Sequence, residues 1–353
     1  MKNILRLLRL LFIFHLSSFI FACSSPTPIP LSSASSLFVF RFNPPALLEF
    51  DSHFALAREL PLNLPCPLIA AHAAPRGRFL ALEMECANGP LVQIVDVTTD
   101  EVKTPYPSVD SHFLAWGYDD SLYLRVDALG NTRIVQFDLL KAKEKALDLP
   151  LQTYDLAPRP GGNGFASSLS NGIGYGSQLR DGRRILATEP NHIISFARWS
   201  PNGTMLAYIR FPDSAIPFPL GELWVMNADG SGARALAPAD AGRGYAAAWS
   251  PDSTRLAYVG RDNPDDPAAD QSAGALVSNI YIVEIASGQV TQVTRFEGTL
   301  VEAPVWSADG TFLAFSVVTL NDTIAVWIAD LATGQVRRLE TAGPACCPAW
   351  IRK

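Results

Sequence analysis

The sequence predicts an all-β fold, because three of its segments are copies of one hairpin: 197–208, 247–258 and 304–315. In each copy a Trp ends a short apolar run, a turn of Ser, Pro, Asn, Asp or Gly follows, and Leu-Ala-Tyr or Leu-Ala-Phe comes next. Those turn residues preset φ or tolerate the left-handed region, and the run after them is typical of a β-strand. A pattern that recurs along the chain indicates one supersecondary unit copied several times.

Two more strands follow each hairpin, so the repeated unit has four strands. After the first copy they are expected at 223–227 and 233–237, separated by a turn with two glycines. The second and third copies have the same two apolar runs around Ala-Ser-Gly and Ala-Thr-Gly. A four-stranded unit of about 40–50 residues is typical of one blade of a β-propeller.

The count of blades comes from the position that the three Trp residues occupy, here called the Trp position. Weaker copies upstream and a final copy downstream place it at residues 73, 116, 156, 199, 249, 306 and 350. The last copy has only its first strand, whereas 37–42, 46–50 and 57–60 read as a blade without a first strand. Pairing the two ends closes the ring and leaves no unpaired inner edge. We predict seven blades within a domain of residues 37–353, or six if the unit around 156 is not a blade.

The repeat resembles the WD40-like (PD40) repeat of TolB-type β-propellers. The resemblance rests on Trp-Ser-Pro-Asn-Gly at 199–203, the following Leu-Ala-Tyr, and Leu-Trp-Val-Met-Asn at 223–227. It is strong over 197–340 and weaker over 37–196. It implies an extracytoplasmic propeller that binds a protein or a ligand, and it names no partner, because propellers carry many unrelated functions.

The N-terminus predicts export and lipid anchoring. Lys2, Arg6 and Arg9 precede an apolar run over 10–21, which is shorter than a membrane span and is typical of a secretory signal peptide. Ile-Phe-Ala-Cys at 20–23 resembles a bacterial lipobox, which makes residues 1–22 the signal peptide and Cys23 the lipid attachment site. The alternative is an ordinary signal peptide with an incidental Cys. Residues 23–36 then form a flexible Ser- and Pro-rich tether.

Charge and hydropathy narrow the classes of partner. The net charge of −6 argues against nucleic acid or an acidic membrane surface as a partner. No second apolar stretch of membrane length follows the signal peptide, so we expect contact with the membrane through the lipid anchor only. An envelope protein or a small ligand is the expected partner, on the periplasmic or cell-surface side of a bacterial membrane.

Four cysteines remain after Cys23, and an exported protein tends to pair them. Cys66, Cys86, Cys346 and Cys347 are all expected on the face where the ring closes. We favour disulfides that cross from the first pair to the second, because a bond over such a long loop stabilises by about 5 kcal/mol in the simple loop-closure model. The alternative is a local Cys66–Cys86 bond with Cys346 and Cys347 unpaired or bonded to each other.

No catalytic motif is present, so the protein is not expected to be an enzyme and no cofactor is expected. The Gly-x-Ser-x-Gly elbow of α/β-hydrolases and the His-Glu-x-x-His zinc motif are both absent from the sequence. Residues 172–176 lack the spacing of a dinucleotide-binding loop and are interpreted as close-packed strand. The alternative function is a propeller hydrolase or lyase with its site at the mouth of the central channel.

Two groups of residues are candidates for binding. The first is the column of residues before the Trp position: His72, Ala115, Asp155, Arg198, Ala248, Val305 and Ala349. If the column points into the channel, His72, Asp155 and Arg198 form a polar cluster able to hold an anion or water. If it points at the neighbouring blade, these are packing residues, and the small or apolar remainder of the column favours that interpretation.

The second group is a long loop over 261–279 that is rich in carboxylates: Asp262, Asp265, Asp266 and Asp270. Calcium takes six to eight oxygen ligands, which makes this loop a weak calcium candidate. It lacks the order of a known calcium loop, so a solvated, mobile excursion is favoured. With the loop over 211–221 it is expected to form a binding face, because binding residues concentrate on long loops of a rigid scaffold.

Overall fold

The computed structural model describes residues 35–352 except 109, 129, 162–163, 172–175, 241–245 and 320–322. Three strands come first in the chain: β1 (Ser35–Phe42), β2 (Pro45–Phe50) and β3 (Leu56–Pro61). Six four-stranded sheets then follow in order and are called blades 1 to 6.

The strands of blades 1 to 3 are β4 (Leu68–Ala73), β5 (Phe79–Cys86), β6 (Gly89–Asp96), β7 (Glu101–Lys103); β8 (Asp110–Trp116), β9 (Leu122–Ala128), β10 (Asn131–Asp138), β11 (Lys143–Ala146); and β12 (Thr153–Pro158), β13 (Phe165–Ser170), β14 (Ser177–Asp181), β15 (Arg184–Glu189). The strands of blades 4 to 6 are β16 (His192–Trp199), β17 (Met205–Pro212), β18 (Leu220–Asn227), β19 (Arg234–Asp240); β20 (Ala248–Trp249), β21 (Arg255–Arg261), β22 (Ser278–Glu284), β23 (Val290–Gln292); and β24 (Thr299–Trp306), β25 (Phe312–Thr319), β26 (Ile324–Asp330), β27 (Val336–Arg338). The chain ends in β28 (Ala345–Arg352), and one 3-10 turn lies at Ala273–Ala275.

The ring closes by pairing the two ends of the chain. Strand β28 runs antiparallel to β1, with Leu37 opposite Trp350, and β28-β1-β2-β3 form the last four-stranded sheet, called blade 7. This confirms the predicted closure and the count of seven blades, and the six-blade alternative is wrong. The unit around residue 156 is a true blade, blade 3.

The first hairpins of blades 4, 5 and 6 have turns that are held by the same side-chain hydrogen bonds. In blade 5, Asp252 Oδ1 accepts hydrogen bonds from Ser250 Oγ at 2.5 Å, from the Thr254 N–H at 3.1 Å and from Thr254 Oγ1 at 2.9 Å. Burial raises the pKa of Asp252, but these hydrogen bonds outweigh burial and the net pKa is lowered. Asn202 and Asp309 accept the same set of bonds in blades 4 and 6. The repeated turn sequence is therefore a repeated hydrogen-bond motif.

The Trp residues join neighbouring blades. Trp199, Trp249 and Trp306 are 5%, 9% and 8% exposed, which confirms the prediction that they are buried. Their indole N–H groups, and that of Trp116, donate to a backbone carbonyl of the preceding blade: Trp116 to His72, Trp199 to Ala157, Trp249 to Arg198 and Trp306 to Ala248. The Nε1 of Trp350 breaks the pattern, because it is buried with no hydrogen-bond partner in the described part of the chain.

The hydrophobic core lies between successive blades. Phe40 of blade 7 packs in one cluster with Leu82 and Met84 of blade 1, and Trp199 of blade 4 packs with Leu179 of blade 3. Fully burying such a side chain stabilises the fold by about 1.5–3 kcal/mol. Each interface between neighbouring blades therefore helps to stabilise the ring.

A phenylalanine replaces glycine in the turn between β2 and β3. Phe54 has a φ of 61°, a value that Gly288 and Gly334 adopt at the corresponding turns of blades 5 and 6, with φ of 71° and 72°. Its ring lies 5.0 Å from that of Phe312 and 6.0 Å from that of Trp350. The contacts tie blade 6 to blade 7 and offset a backbone strain of about 1–3 kcal/mol.

Candidate functional site

The residue before the Trp position faces the central channel in most blades. His72, Ala115, Arg198, Val305 and Ala349 all line one cavity there. The favoured interpretation of this column as packing between blades also holds in part, because Ala115, Val305 and Ala349 pack in hydrophobic clusters between blades. The first strands of blades 4 and 6 carry a β-bulge just before this position, and a bulge re-aims the side chains that follow it.

The cavity lies at the end of the central channel where the first turns of the blades are found. Its volume is about 380 Å³, and six of the seven blades contribute to its wall, with Pro75 and Tyr118 from turn segments. Most of the wall is aromatic or aliphatic, and its ring-bearing residues are Phe113, Trp116, Tyr118, Trp199, Trp306, Trp350 and the imidazole of His72. We call this cavity the channel mouth.

In blade 3 the Trp position falls at residue 158 rather than at the predicted 156. Pro158 lies opposite Phe165 in the same way that Trp199 lies opposite Leu206. In other blades the residue before the Trp position accepts the indole N–H of the next blade, and in blade 3 Ala157 O accepts that of Trp199. Ala157 therefore takes the place in the column that was predicted for Asp155. Asp155 lies earlier on β12, where it is buried beside blade 4.

Arg198 is held in place by Asp155 from the neighbouring blade. Its Nη1 donates to Asp155 Oδ1 at 3.1 Å and to the Ala197 carbonyl at 2.6 Å. The second oxygen of Asp155 accepts the Ala197 N–H at 2.7 Å. The Arg198 side chain is 40% exposed and lines the channel mouth, whereas that of Asp155 is 9% exposed. Two of the three predicted polar residues thus meet, with the cation facing the cavity and the carboxylate behind it.

His72 lies on another part of the same wall. Its imidazole stacks on the ring of Phe113, with centroids 4.0 Å apart and planes at 5°. Its Nε2 lies 3.5 Å from Glu83 Oε2. Phe113 and Glu83 are not predictable from the sequence, because both contacts arise only when strands β5 and β8 lie beside β4. No contact between His72 and Arg198 is found.

The two long loops contact each other and are anchored by a buried arginine. Arg261, at the end of β21, and Asp240, at the end of β19, have side chains with no solvent exposure, and their Nη2 and Oδ1 atoms lie 3.0 Å apart. Arg261 also donates from Nη1 to Asp270 at 2.7 Å and from Nη2 to the Phe218 carbonyl at 2.7 Å. The loop over 261–279 is therefore anchored to the ring by a buried ion pair, although Asp262 and Asp265 are exposed as a solvated excursion predicts.

The predicted loop carboxylates have separate partners. Asp262 accepts hydrogen bonds from Asn279 at 2.6 Å and from Tyr281 at 2.5 Å. Burial and the bond to Asp262 together raise the pKa of Tyr281 to about 12. Asp266 accepts the Ala268 N–H at 3.0 Å, and Asp265 is exposed. In the described part of the chain, no group of three or more His, Cys, Asp and Glu side chains could hold a metal ion.

The four ring-closure cysteines pack against one hydrophobic cluster between blades 7 and 1. Cys66 is bonded to Cys86, with Cα atoms 5.1 Å apart, and Cys346 is bonded to Cys347. The favoured crossed pairing is wrong, and the local alternative with a vicinal bond is what the structure has. Cys346 and Cys347 belong to β28 rather than to the loop before it, and their neighbours Pro348, Ala349 and Trp350 line the channel mouth.

Several predictions concern residues outside the described part of the chain. These are the signal peptide at 1–22, the lipid attachment site Cys23, the tether up to residue 34, and most of the glycine-rich segment 172–176. Over the residues that are described, no helix is both long enough and apolar enough to cross a membrane.

Solved propeller structures are similar to this chain in fold. TolB from Acinetobacter baumannii aligns with a TM-score of 0.50 and 14% identity, over 91% of this chain and 67% of that one. The chain has a TolB-like β-propeller fold. An oligogalacturonate lyase in complex with manganese aligns with a TM-score of 0.56 and 12% identity, over 86% of this chain and 84% of that one.

Part of a longer enzyme is also similar to this chain in fold. A puromycin-hydrolyzing peptidase from Mycobacterium tuberculosis aligns with a TM-score of 0.58 and 14% identity, over 88% of this chain and 51% of that one. This chain therefore spans about half the length of the peptidase. No protein-family model and no curated protein sequence matches the chain. At these identities the likeness concerns the fold, and the propeller fold hosts both binding proteins and enzymes.

Proposed function

We propose that the protein is an exported, lipid-anchored binding module of the bacterial cell envelope that holds its ligand at the channel mouth. The observation that carries the proposal is the aromatic and aliphatic cavity of about 380 Å³ around Arg198 and His72. Ligand sites are typically concave, mostly apolar, about 300–1,000 Å³ in volume, and contain a few polar groups that orient the ligand. The channel mouth has each of these properties.

Two features support a location outside the cytoplasm. The basic, apolar and Cys-terminated N-terminus has the order of a lipoprotein signal peptide. The disulfides Cys66–Cys86 and Cys346–Cys347 are typical of oxidising compartments. Together they favour a mature protein that begins at Cys23 and is exposed in the envelope.

A substitution that fills the channel mouth tests the binding role. The column accepts large side chains in blades 1 and 4, so Val305→Trp is expected to fold while occupying the cavity. Val102→Trp, on the exposed outer strand β7, is the matched control. We expect an envelope protein or small ligand that co-purifies from membranes with the wild type and with Val102→Trp, and that is lost from Val305→Trp at an unchanged melting temperature. Equal capture by both variants would refute the proposal.

A second substitution tests the anchor. Cys23→Ser removes the thiol to which the lipid is attached, so the protein should move from the membrane fraction to the soluble fraction. Mass spectrometry of the wild-type mature N-terminus should find a diacylglyceryl-modified Cys23. Retention of Cys23→Ser in the membrane would contradict lipid anchoring.

One observation favours an enzyme as the second candidate. His72, which lines the channel mouth, lies beside Glu83, and a His next to a carboxylate is a common acid–base arrangement. A hydrolase or lyase acting there would lose turnover in His72→Asn while still binding its substrate. A binding module would show no turnover in either protein.

A further inference from the structure

The wall of the channel mouth carries cationic but no anionic side chains. Arg198 is the lining residue with a permanent charge, and no Asp or Glu lines the cavity. The carboxylates that contact Arg198 and His72 do not line the cavity themselves: Asp155 lies behind Arg198 and Glu83 beside His72. A ligand in this cavity therefore meets the exposed side of an ion-paired guanidinium on a wall that is more apolar than polar.

The guanidinium of Arg198 is oriented but only partly used. Both of its hydrogen bonds, to Asp155 and to the Ala197 carbonyl, leave from Nη1. Nε and Nη2 have no hydrogen-bond partner among the described residues, in contrast to Arg261, whose Nη1 and Nη2 are both bonded to protein. An Arg held by a buried carboxylate loses little conformational freedom when its remaining N–H groups bind two oxygens of one ligand group.

The rest of the wall suits a flat apolar body. Phe113 and His72 form a parallel stacked pair, and Trp116, Trp199 and Trp306, which are 7%, 5% and 8% exposed, contribute their uncovered edges to the same wall. Aromatic rings pack well on one another in offset or edge-to-face arrangements. A cationic ligand would be repelled by Arg198, and a neutral one would leave its two nitrogens without a charged acceptor.

We infer that the channel mouth binds a small carboxylate with a flat apolar body, which Arg198 holds by its carboxylate group. The inference rests on the proposed function and adds to it the chemical class of the ligand. Arg198 is the residue that determines the charge preference, whereas the aromatic wall determines shape. Hydrogen bonds between charged groups of this kind contribute about 10- to 100-fold in affinity.

A pair of probes of equal shape tests the inference on the full chain in lipid nanodiscs. Binding of 2-naphthoate and of its neutral isostere 2-naphthamide is measured by titration calorimetry, with empty nanodiscs as the blank. We expect the wild type to bind 2-naphthoate about tenfold or more tightly than 2-naphthamide. Arg198→Gln should bind the two probes equally, and Arg198→Lys, which keeps the charge without the fork, should fall between.

Two controls separate the possible failures. Arg337→Gln removes an arginine that lies over the Phe54 ring outside the channel mouth, and it should keep the wild-type preference. Equal binding of both probes by the wild type, abolished by Val305→Trp, would overturn the carboxylate inference and leave the channel mouth as the binding site. Absence of binding by either probe would also overturn the inference, while the capture experiment decides the proposed function separately. Unchanged melting of Arg198→Lys ensures that a folded variant is compared.

Discussion

Replacing Arg261 with methionine should destabilise the ring more than most single substitutions. The side chains of Arg261 and Asp240 are both fully buried, and their charged atoms lie 3.0 Å apart. The same guanidinium also bonds Asp270 and the Phe218 carbonyl. Arg261→Met keeps most of the side-chain volume but removes the positive charge, so Asp240 loses its ion pair with Arg261.

The magnitude follows from that burial. Removing one partner of a buried ion pair costs about 3–5 kcal/mol, because the remaining charge stays out of water. For a domain of this size that corresponds to a fall in melting temperature of about 5–8 °C. The two long loops should also become sensitive to proteases, since the arginine that joins them is gone.

Urea unfolding followed by Trp fluorescence measures the free-energy change, with Arg255→Met as control because Arg255 packs over the Trp306 ring outside any ion pair given above. Converting Asp240 to Asn removes the carboxylate charge that faces Arg261, so Arg261→Met should cost at least about 1 kcal/mol less in the Asp240→Asn background. A loss of stability below about 1 kcal/mol for Arg261→Met, or no coupling with Asp240→Asn, would refute the reasoning.

Three further predictions concern the ring itself. Cys66→Ser should destabilise it by about 3 kcal/mol in non-reducing urea unfolding, because the Cys66–Cys86 bond spans 20 residues, and an unchanged midpoint would contradict this. Burial raises the pKa of Asp96, but its hydrogen bonds, above all those from Arg78, lower it to about 2. That carboxylate should therefore stabilise the fold by about 2 kcal/mol above pH 4, and the contribution should vanish as the pH falls from about 4 to about 2. In Asp96→Asn the acid loss should be smaller, and an identical pH profile would contradict it. Trp199→Ala should lower the free energy of unfolding by about 3–5 kcal/mol, and a change below about 1 kcal/mol would show that the Trp199 indole does not join blades 3 and 4.

The repeated hairpin made the fold predictable from the sequence. Ser, Asn or Asp, and Thr recur at fixed spacing because one hydrogen-bond motif closes the first turns of blades 4, 5 and 6, at Asn202, Asp252 and Asp309. Blade 7 also formed as predicted, with β28 paired to β1. The reason is that an unpaired inner strand would leave backbone groups without partners.

Blade 3 shows where the pattern became ambiguous. Its Trp position holds Pro158, and the turn that follows is rich in Gly and Pro, so matching by turn residues placed the position two residues early. That displacement put Asp155 into the column and hid Ala157. Strand pairing resolves the register, and pairing depends on neighbours that the local sequence does not contain.

Contacts between blades were the least predictable part of the site. Arg261 follows an ordinary strand and precedes a loop rich in Asp and Pro, a composition typical of solvated segments. Its burial depends on Asp240 and on the Phe218 carbonyl from blade 4. The cysteines were equally hard to predict: their positions in the sequence put all four where the ring closes, but did not determine which sulfurs come within bonding distance.

The most direct test of the central claim is site-specific photo-crosslinking in living cells. A benzophenone amino acid at position 305 places the reactive group in the channel mouth, and the same amino acid at position 102 places it on an exposed outer strand. Intact-mass and gel analysis of the purified protein after irradiation reports any adduct, whether a small ligand or a protein. Binding at the channel mouth predicts a discrete adduct at position 305 and none at position 102. No adduct at 305, or the same adduct at both positions, would contradict it.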